Sequence, residues 1–344
     1  MGGQVGWVPD HVPEVLVAGR YYADVIFRGL SGSVVGGTEV FADGLDLLPG
    51  GAFTPAMALR RLGHRVLWAA DFGTDVFSQL VLSAARVEGL DETCFRHHPG
   101  PLRSVSVALS GSGDRALISY QDAVDERPLA LLVREYRPRV LLLPLLRFDA
   151  ATRAGLRVAR RCGTEVFMDC QDVAGTVRDP MVRDTLALVD VFAPNAAEAL
   201  RLTATTQLDE ALEILTGLVD TAIIKRGASG AVAVAHGLRC DVPAIPLEVV
   251  DTTGAGDCFN VGFLHARLAG GSLLDCVTAA VACGGRACSG SGSSAAPDPV
   301  ELRRWSARVP PGRVASYLPR ELATRHDVRG RGVGSSATTS EGPL

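Results

Sequence analysis

Short apolar runs separated by amphipathic stretches set the first expectation for this chain. Val15 to Ala18, Arg65 to Ala70, Val140 to Leu143, Glu165 to Asp169, Val191 to Ala193, Ala222 to Lys225 and Val232 to Ala235 are brief and mostly apolar. Runs of this kind read as strands buried on both faces. Between them, Phe53 to Leu62, Val76 to Glu88, Leu129 to Tyr136 and Ala151 to Arg161 carry apolar residues at helical spacing. Strands alternating with helices of this length predict a doubly wound α/β sheet flanked by helices. Ligands of such sheets bind at the carboxyl ends of the strands.

Two segments break the alternation. Residues 20–48 mix β-like runs with glycine-rich turns. Arg103 to Tyr120 alternates through Val105, Val107 and Leu109, turns at Ser110-Gly111-Ser112-Gly113, and resumes at Ala116 and Ile118. Alternation on both sides of a turn reads as a hairpin. Together the two pieces predict a second, small sheet. Further on, Ile245 to Val250 reads as a strand, followed by a helix with an apolar face at Ala255, Phe259, Gly262, Phe263 and Ala266. Leu273 to Cys283 reads as a helix of small residues ended by Gly284-Gly285. Asp298-Pro299-Val300-Glu301 starts a last helix, with N-cap, first-position proline and third-position Glu in register.

The candidate chemistry lies where that strand meets its helix, at Asp251-Thr252-Thr253-Gly254-Ala255-Gly256-Asp257. Small residues leave the first-turn amides bare, and a helix N-terminus with bare amides attracts anions. Asp257 closes the turn. Amides that stabilise a moving phosphoryl group, beside an acid that takes a proton from the attacking hydroxyl, suit phosphoryl transfer. A lone Gly-x-Gly would be explained as a tight turn with a first-turn acid that favours the dipole. The whole motif between strand and helix favours the anion site. An aspartate titrates near about 3.9, so this base would accept its proton late in the transfer.

Composition narrows the classes. The chain has 344 residues, 47% hydrophobic and 21% charged, with net charge −4. That is a globular make-up without the basic field of a nucleic-acid binder. Val140 to Leu146 is the most apolar stretch and is too short to span a membrane. Residues 1–12 show no secretory signal. The eight cysteines form no Cys-x-x-Cys, and the seven histidines no His-x-x-x-His. Buried free thiols in a reducing cytoplasm are expected, without a structural zinc. His97-His98 reads as a solvated loop pair.

Asp251 to Asp257, continuing through Phe259 and Gly262, resembles the C-terminal motif of the ribokinase/PfkB carbohydrate kinases. The resemblance runs over about residues 13–318. It implies an ATP-dependent kinase of a sugar or sugar-like hydroxyl, with a ribokinase-like domain over 13–320 and lid pieces at about 20–48 and 101–122. In that family the second Asp of the motif, here Asp257, is the catalytic base, and the amides of Gly254, Ala255 and Gly256 form the anion hole. An Asp five residues after the glycine ending the first strand binds sugar hydroxyls, and Asp24 follows Gly19 at that spacing. Gly50 and Gly51, before Leu62-Gly63, resemble the N-terminal motif that brings backbone close to the sugar. The family's following Asn is Thr54 here, which keeps a hydroxyl but loses the amide. With Pro55 placed to start a helix, Thr54 also reads as its N-cap.

Asn195-Ala196-Ala197-Glu198 is similar to the family's Asn-x-x-Glu, which organises Mg2+ and phosphate through waters. The same residues form a capping box. Asp169-Cys170-Gln171-Asp172 partly matches an Asp-Pro-Asn segment near the phosphates. Lys225, Gly227 and Gly230 stand where the family sets a turn against ATP, and no P-loop motif is present. Asp251 and Thr253 are candidate contacts for a monovalent cation such as K+, and the Ser289 to Ser294 loop would border the adenine. Two related readings share this fold. A nucleoside kinase would use an aromatic lid wall, from Tyr21, Tyr22, Phe27 and Tyr120. A sugar-phosphate kinase would use a cationic cluster, from Arg28, Arg103 and Arg115. The loss of the Asn at Thr54 leaves a non-catalytic sugar- or nucleotide-binding regulator as a reading of another class. A homodimer through lid edges follows from the resemblance. Residues 322–344 read as a disordered tail.

Overall fold

The structure is a computed structural model that describes residues 13–110, 115–171, 175–290 and 295–317. Its first strand, β1 (Val15–Ala18), is buried throughout. Val15 and Val17 enter one core, Leu16 and Ala18 the other, as the two-residue period of a strand requires. The chain then makes two long strands, β2 (Tyr21–Leu30) and β3 (Ala42–Gly51). It returns through α1 (Phe53–Arg61), β4 (Val66–Phe72), α2 (Val76–Val87) and β5 (Phe95–His97). The hairpin β6 (Ser104–Ser110) and β7 (Arg115–Gln121) follows. Next come α3 (Leu129–Tyr136), β8 (Val140–Leu143), α4 (Ala150–Cys162), β9 (Glu165–Asp169), α5 (Pro180–Leu186) and β10 (Val191–Ala193). After α6 (Ala196–Thr203), α7 (Leu208–Thr216) and β11 (Thr221–Lys225) lies the hairpin β12 (Ala231–Ala235) and β13 (Leu238–Val242). The described chain ends with α8 (Ala255–Leu268), α9 (Leu273–Cys288), α10 (Pro299–Ser306) and β14 (Arg313–Ser316).

The main sheet has the order β14-β13-β12-β11-β10-β9-β8-β1-β4-β5. It is parallel from β5 to β11 and antiparallel from β11 to β14. Helices α1, α2, α8, α9 and α10 cover one face and α3 to α7 the other. A separate sheet has the order β3-β2-β6-β7, with β2 and β6 parallel. Its register sets Asp24 beside Ser106, and Ser106 beside Ser119. No helix among the described residues is long and apolar enough to cross a membrane.

Four expectations need correction. Residues 245–250 are not a strand. Pro243 and Pro246 lack the N–H a ladder needs, and β14 takes the edge beside β13. Helix α9 runs through Gly284-Gly285 to Cys288. A Cβ on Gly284 would lie 3.2 Å from Ala255 O and 3.3 Å from Phe259 Cβ, so the glycine lets α8 and α9 close on each other. Helix α1 starts at Phe53 with Ala52 as N-cap, which makes Thr54 its second residue rather than its cap. Pro55 is tolerated one position on because first-turn amides have no intrahelical partner. His97 ends a strand, and His98 Nε2 lies 2.7 Å from Asp71 Oδ1, so the pair is not simply solvated loop. The short strands β5, β13 and β14 were not foreseen. The Gly111–Gly113 turn, Asp172, most of the Ser289–Ser294 loop and the tail fall outside the described residues.

Candidate active site

The N-terminus of α8 is built by glycine. Gly254 is its N-cap at φ +72°, a left-handed conformation that favours glycine, and no side chain caps the helix. Before it, Asp251 Oδ1 accepts from Thr253 N–H (2.9 Å) and Thr253 Oγ1 (2.7 Å), which tightens the approach. Ala255 N–H donates to Thr252 O at 3.2 Å, so this member of the expected anion hole is engaged within the turn. The amides of Gly254 and Gly256 have no partner among the described residues. Asp257, the third helical residue, is half-buried and lines a cleft.

The turn separates two clefts. One, of about 1300 Å³, lies under the small sheet and is lined by Tyr22, Asp24, Gly51, Thr54, Glu198 and Asp257, among others. The second, of about 1130 Å³, is more apolar. Its walls are the Gly227–Gly230 turn, the Ala244–Val249 segment and the glycines of α9, with Thr252, Ala255 and Gly256 facing it. Lys225 stands at its inner end. Gly50 makes room for the acid of the first cleft, since a Cβ there would lie 1.9 Å from Asp24 Oδ2. Thr54 is 1% exposed yet lines that cleft from the start of α1. Asn195 and Asp251 line neither cleft.

Charge is concentrated behind the turn. Lys225 Nζ donates to both carboxylate oxygens of buried Asp169 (2.7 and 2.8 Å), and Asn260 Nδ2 donates to Asp169 Oδ2 (2.6 Å). Lys225 at the end of β11 is therefore held in a largely buried ion pair. Burial, then the charge of Asp169, pushes the Asp257 carboxyl up to about 7, with Lys225 opposing and Asp24 adding to the rise. The expectation of an ordinary aspartate is overturned, because the sequence did not show how much solvent this acid loses. Burial also raises Glu198, against the Asn195 N–H it accepts. Asn195 and Glu198 form the complete capping box, at 2.8 and 2.9 Å.

Sequence reasoning set Asp169 near the phosphates but missed its pairing with Lys225, and it missed Asn260 altogether. The available signal was polar: Asn260 interrupts the buried run Cys258 to Leu264, one turn after Asp257. Among the described residues, no group of three or more His, Cys, Asp or Glu is arranged to hold a metal directly. Glu198 lines the first cleft and offers carboxylate oxygens only, the chemistry that suits a Mg2+ that keeps its water shell. The second cleft offers a glycine cradle, where a Cβ on Gly256 would lie 3.5 Å from Lys225 Nζ.

A doubly wound sheet with a four-stranded lid over a helix N-terminus is the ribokinase-like kinase fold. The Arabidopsis thaliana ribokinase structure, complexed with ribose and ATP, superposes with a TM-score of 0.73 at 21% identity, covering 86% of this chain and 99% of that one. The sequence matches the pfkB family of carbohydrate kinases over residues 42–300, and the chain belongs to that family. It is 24% identical to a Haemophilus influenzae ribokinase over 224 residues, 62% of this chain and 72% of that protein. It is 36% identical to a Thermococcus kodakarensis cytidine kinase over 104 residues, 29% of this chain and 37% of that protein.

Proposed function

We propose that this kinase transfers the γ-phosphoryl group of ATP to a hydroxyl of a sugar or nucleoside held under the lid, with Asp257 as the base. The observation that carries this reading is the partition. Asp257 and Gly254 face the cleft under the small sheet, while Gly256 and Ala255 face the glycine-walled cleft on the other side. An acceptor hydroxyl beside Asp257 would lie in line with a phosphoryl group arriving from the other cleft. Asp24 is placed to accept acceptor hydroxyls, with the small sheet above it to exclude water. A base near 7 accepts a proton far more readily than an ordinary aspartate. Gly254 and Gly256 amides face the charge that develops on the phosphoryl oxygens. Glu198 would hold Mg2+ through water, and the ion would neutralise the phosphates. Asp251 and Thr253 remain the candidates for a monovalent cation.

The acceptor cleft favours sugars and nucleosides over phosphorylated sugars. Arg28 pairs with Asp46 and Arg103 with Asp122, both on exposed lid positions, and neither lines the cleft. Arg115 has no described side chain. Of the four aromatic candidates Tyr22 lines the cleft, whereas Tyr21 is buried with its hydroxyl 2.6 Å from Ser78 Oγ. The test is ADP release from MgATP across free sugars, nucleosides, sugar acids and sugar phosphates. Turnover with a sugar or nucleoside is expected. Measurable binding without turnover on any of them would mark the chain as a regulator.

A further inference from the structure

The underside of the small sheet carries an order that the scheme above does not use. Residues paired across strands point to the same face, so the register lays them in rows. One row runs Leu48, Asp24, Ser106, Ser119, from β3 through β2 and β6 to β7. Two residues further along the strands, Ala108 of β6 is paired with Leu117 of β7. All six side chains line the first cleft. Ser119 Oγ donates to Ser106 Oγ at 3.1 Å, so with Asp24 the first row is a strip of hydrogen-bonding oxygens. Ala108 and Leu117 offer no polar side-chain atom, and Leu117 is 63% exposed. Two residues of strand set the rows about 6.7 Å apart. Among the described residues that line this cleft none is Lys, Arg or His, while Asp24, Glu198 and Asp257 are acids.

We propose that the acceptor is a nucleoside, with its ribose hydroxyls on the Asp24–Ser106–Ser119 row and its base against Ala108 and Leu117. The inference rests on an acceptor held under the lid, and it narrows that reading from sugars and nucleosides to nucleosides. A free sugar carries hydroxyls all round its ring, so whichever edge met the second row would lose water without gaining a hydrogen bond. A nucleoside carries its hydroxyls on one ring and a flat apolar face on the next, the order in which the two rows stand. Closing the base over Leu117 removes apolar surface from water, whereas a free pentose on the first row leaves that surface exposed. Three acids and no cation disfavour an acceptor that carries a carboxylate or a phosphate. Leu117 is thereby the residue that sets specificity between nucleoside and free sugar.

The experiment compares kcat/KM of the full chain, at saturating MgATP, for cytidine, uridine, adenosine and inosine with that for ribose, the same sugar without a base. At least one nucleoside is expected to exceed ribose about a hundredfold, the scale of discrimination an apolar pocket supplies. Leu117→Ser is expected to lower kcat/KM for that nucleoside about tenfold more than for ribose. The loss should fall on KM rather than kcat, because the base is held alike before and during transfer. Leu117→Met, which stays apolar, is expected to retain most of the preference. Ribose or another free sugar turned over better than every nucleoside overturns the assignment and leaves the kinase reading standing. Equal losses for ribose and nucleoside in folded Leu117→Ser overturn the role of the apolar row. No turnover with either class overturns an acceptor under the lid altogether.

Discussion

Asp257 gathers the consequences at the scale of the residue. Its replacement by Asn keeps size and polarity but removes the proposed proton acceptor. A loss of about 10²–10⁴ in kcat is expected, the usual contribution of a general base. Steady-state assay with retained binding of an ATP analogue checks it, and near-parental turnover contradicts it. The same residue carries a stability signature. Its folded carboxyl is raised to about 7, so the native state holds its proton more tightly than the unfolded chain. Stability is therefore unaffected well below the ordinary range of about 4, falls as pH rises through the window to about 7, and stays reduced above it. Asp257→Asn should raise the melting temperature at pH 8 more than at pH 5. Equal shifts at both would mean that the ionised carboxylate is not under this burden. Gly50 allows a second prediction. A methyl placed 1.9 Å from Asp24 Oδ2 must displace that carboxylate, so Gly50→Ala should raise the acceptor KM about tenfold or more with little change in the KM for ATP. The helix entry at Gly254 with Asp257 in its first turn was legible in sequence because small residues and an acid in that order report it, whereas Asp24 was reached through the family resemblance. The contact between Asp169 and Asn260 was not legible, because the two lie 91 residues apart and meet only when a strand end meets a helix.

At the scale of the element, the pair α8 and α9 governs the site. Gly262 lies at their crossing, where an added Cβ would come 2.5 Å from Ala279 O and 2.7 Å from Cys283 Cβ. Neither backbone nor a Cβ can yield as a flexible side chain would. Gly262→Ala should therefore destabilise by about 1–3 kcal/mol, the range of overpacking, and lower activity by tilting the N-terminus of α8. Denaturant unfolding measures it, and an unchanged midpoint would show that the helices can separate freely. The helix periods that named these elements were read correctly from one sequence. Where α9 ended was not, since a Gly-Gly pair signals a stop until a partner helix needs the space. Residues 245–250 failed for the complementary reason: their apolar content was read correctly, but Pro246 within them and Pro243 just before keep them out of the ladder.

At the scale of the whole molecule, one turn borders two clefts, and in the proposed scheme each takes a different ligand. A nonhydrolysable ATP analogue and an accepted sugar or nucleoside should therefore bind together. Each should stabilise by about 2.7 kcal/mol at a hundred times its Kd, with melting shifts that add or exceed addition. Mutual exclusion in the same assay would contradict two separate clefts.

The sequence by itself determined the alternation of elements, the small second sheet, the glycine turn and its acid, because each follows from residue period or local backbone preference. Tertiary structure alone decided that the turn is a wall between two clefts, that Lys225 is bound to Asp169, and that Asp257 holds its proton to about 7. Solvent exclusion and the distance between charges depend on which distant strands and helices are packed around a group, and no local pattern in the chain encodes them.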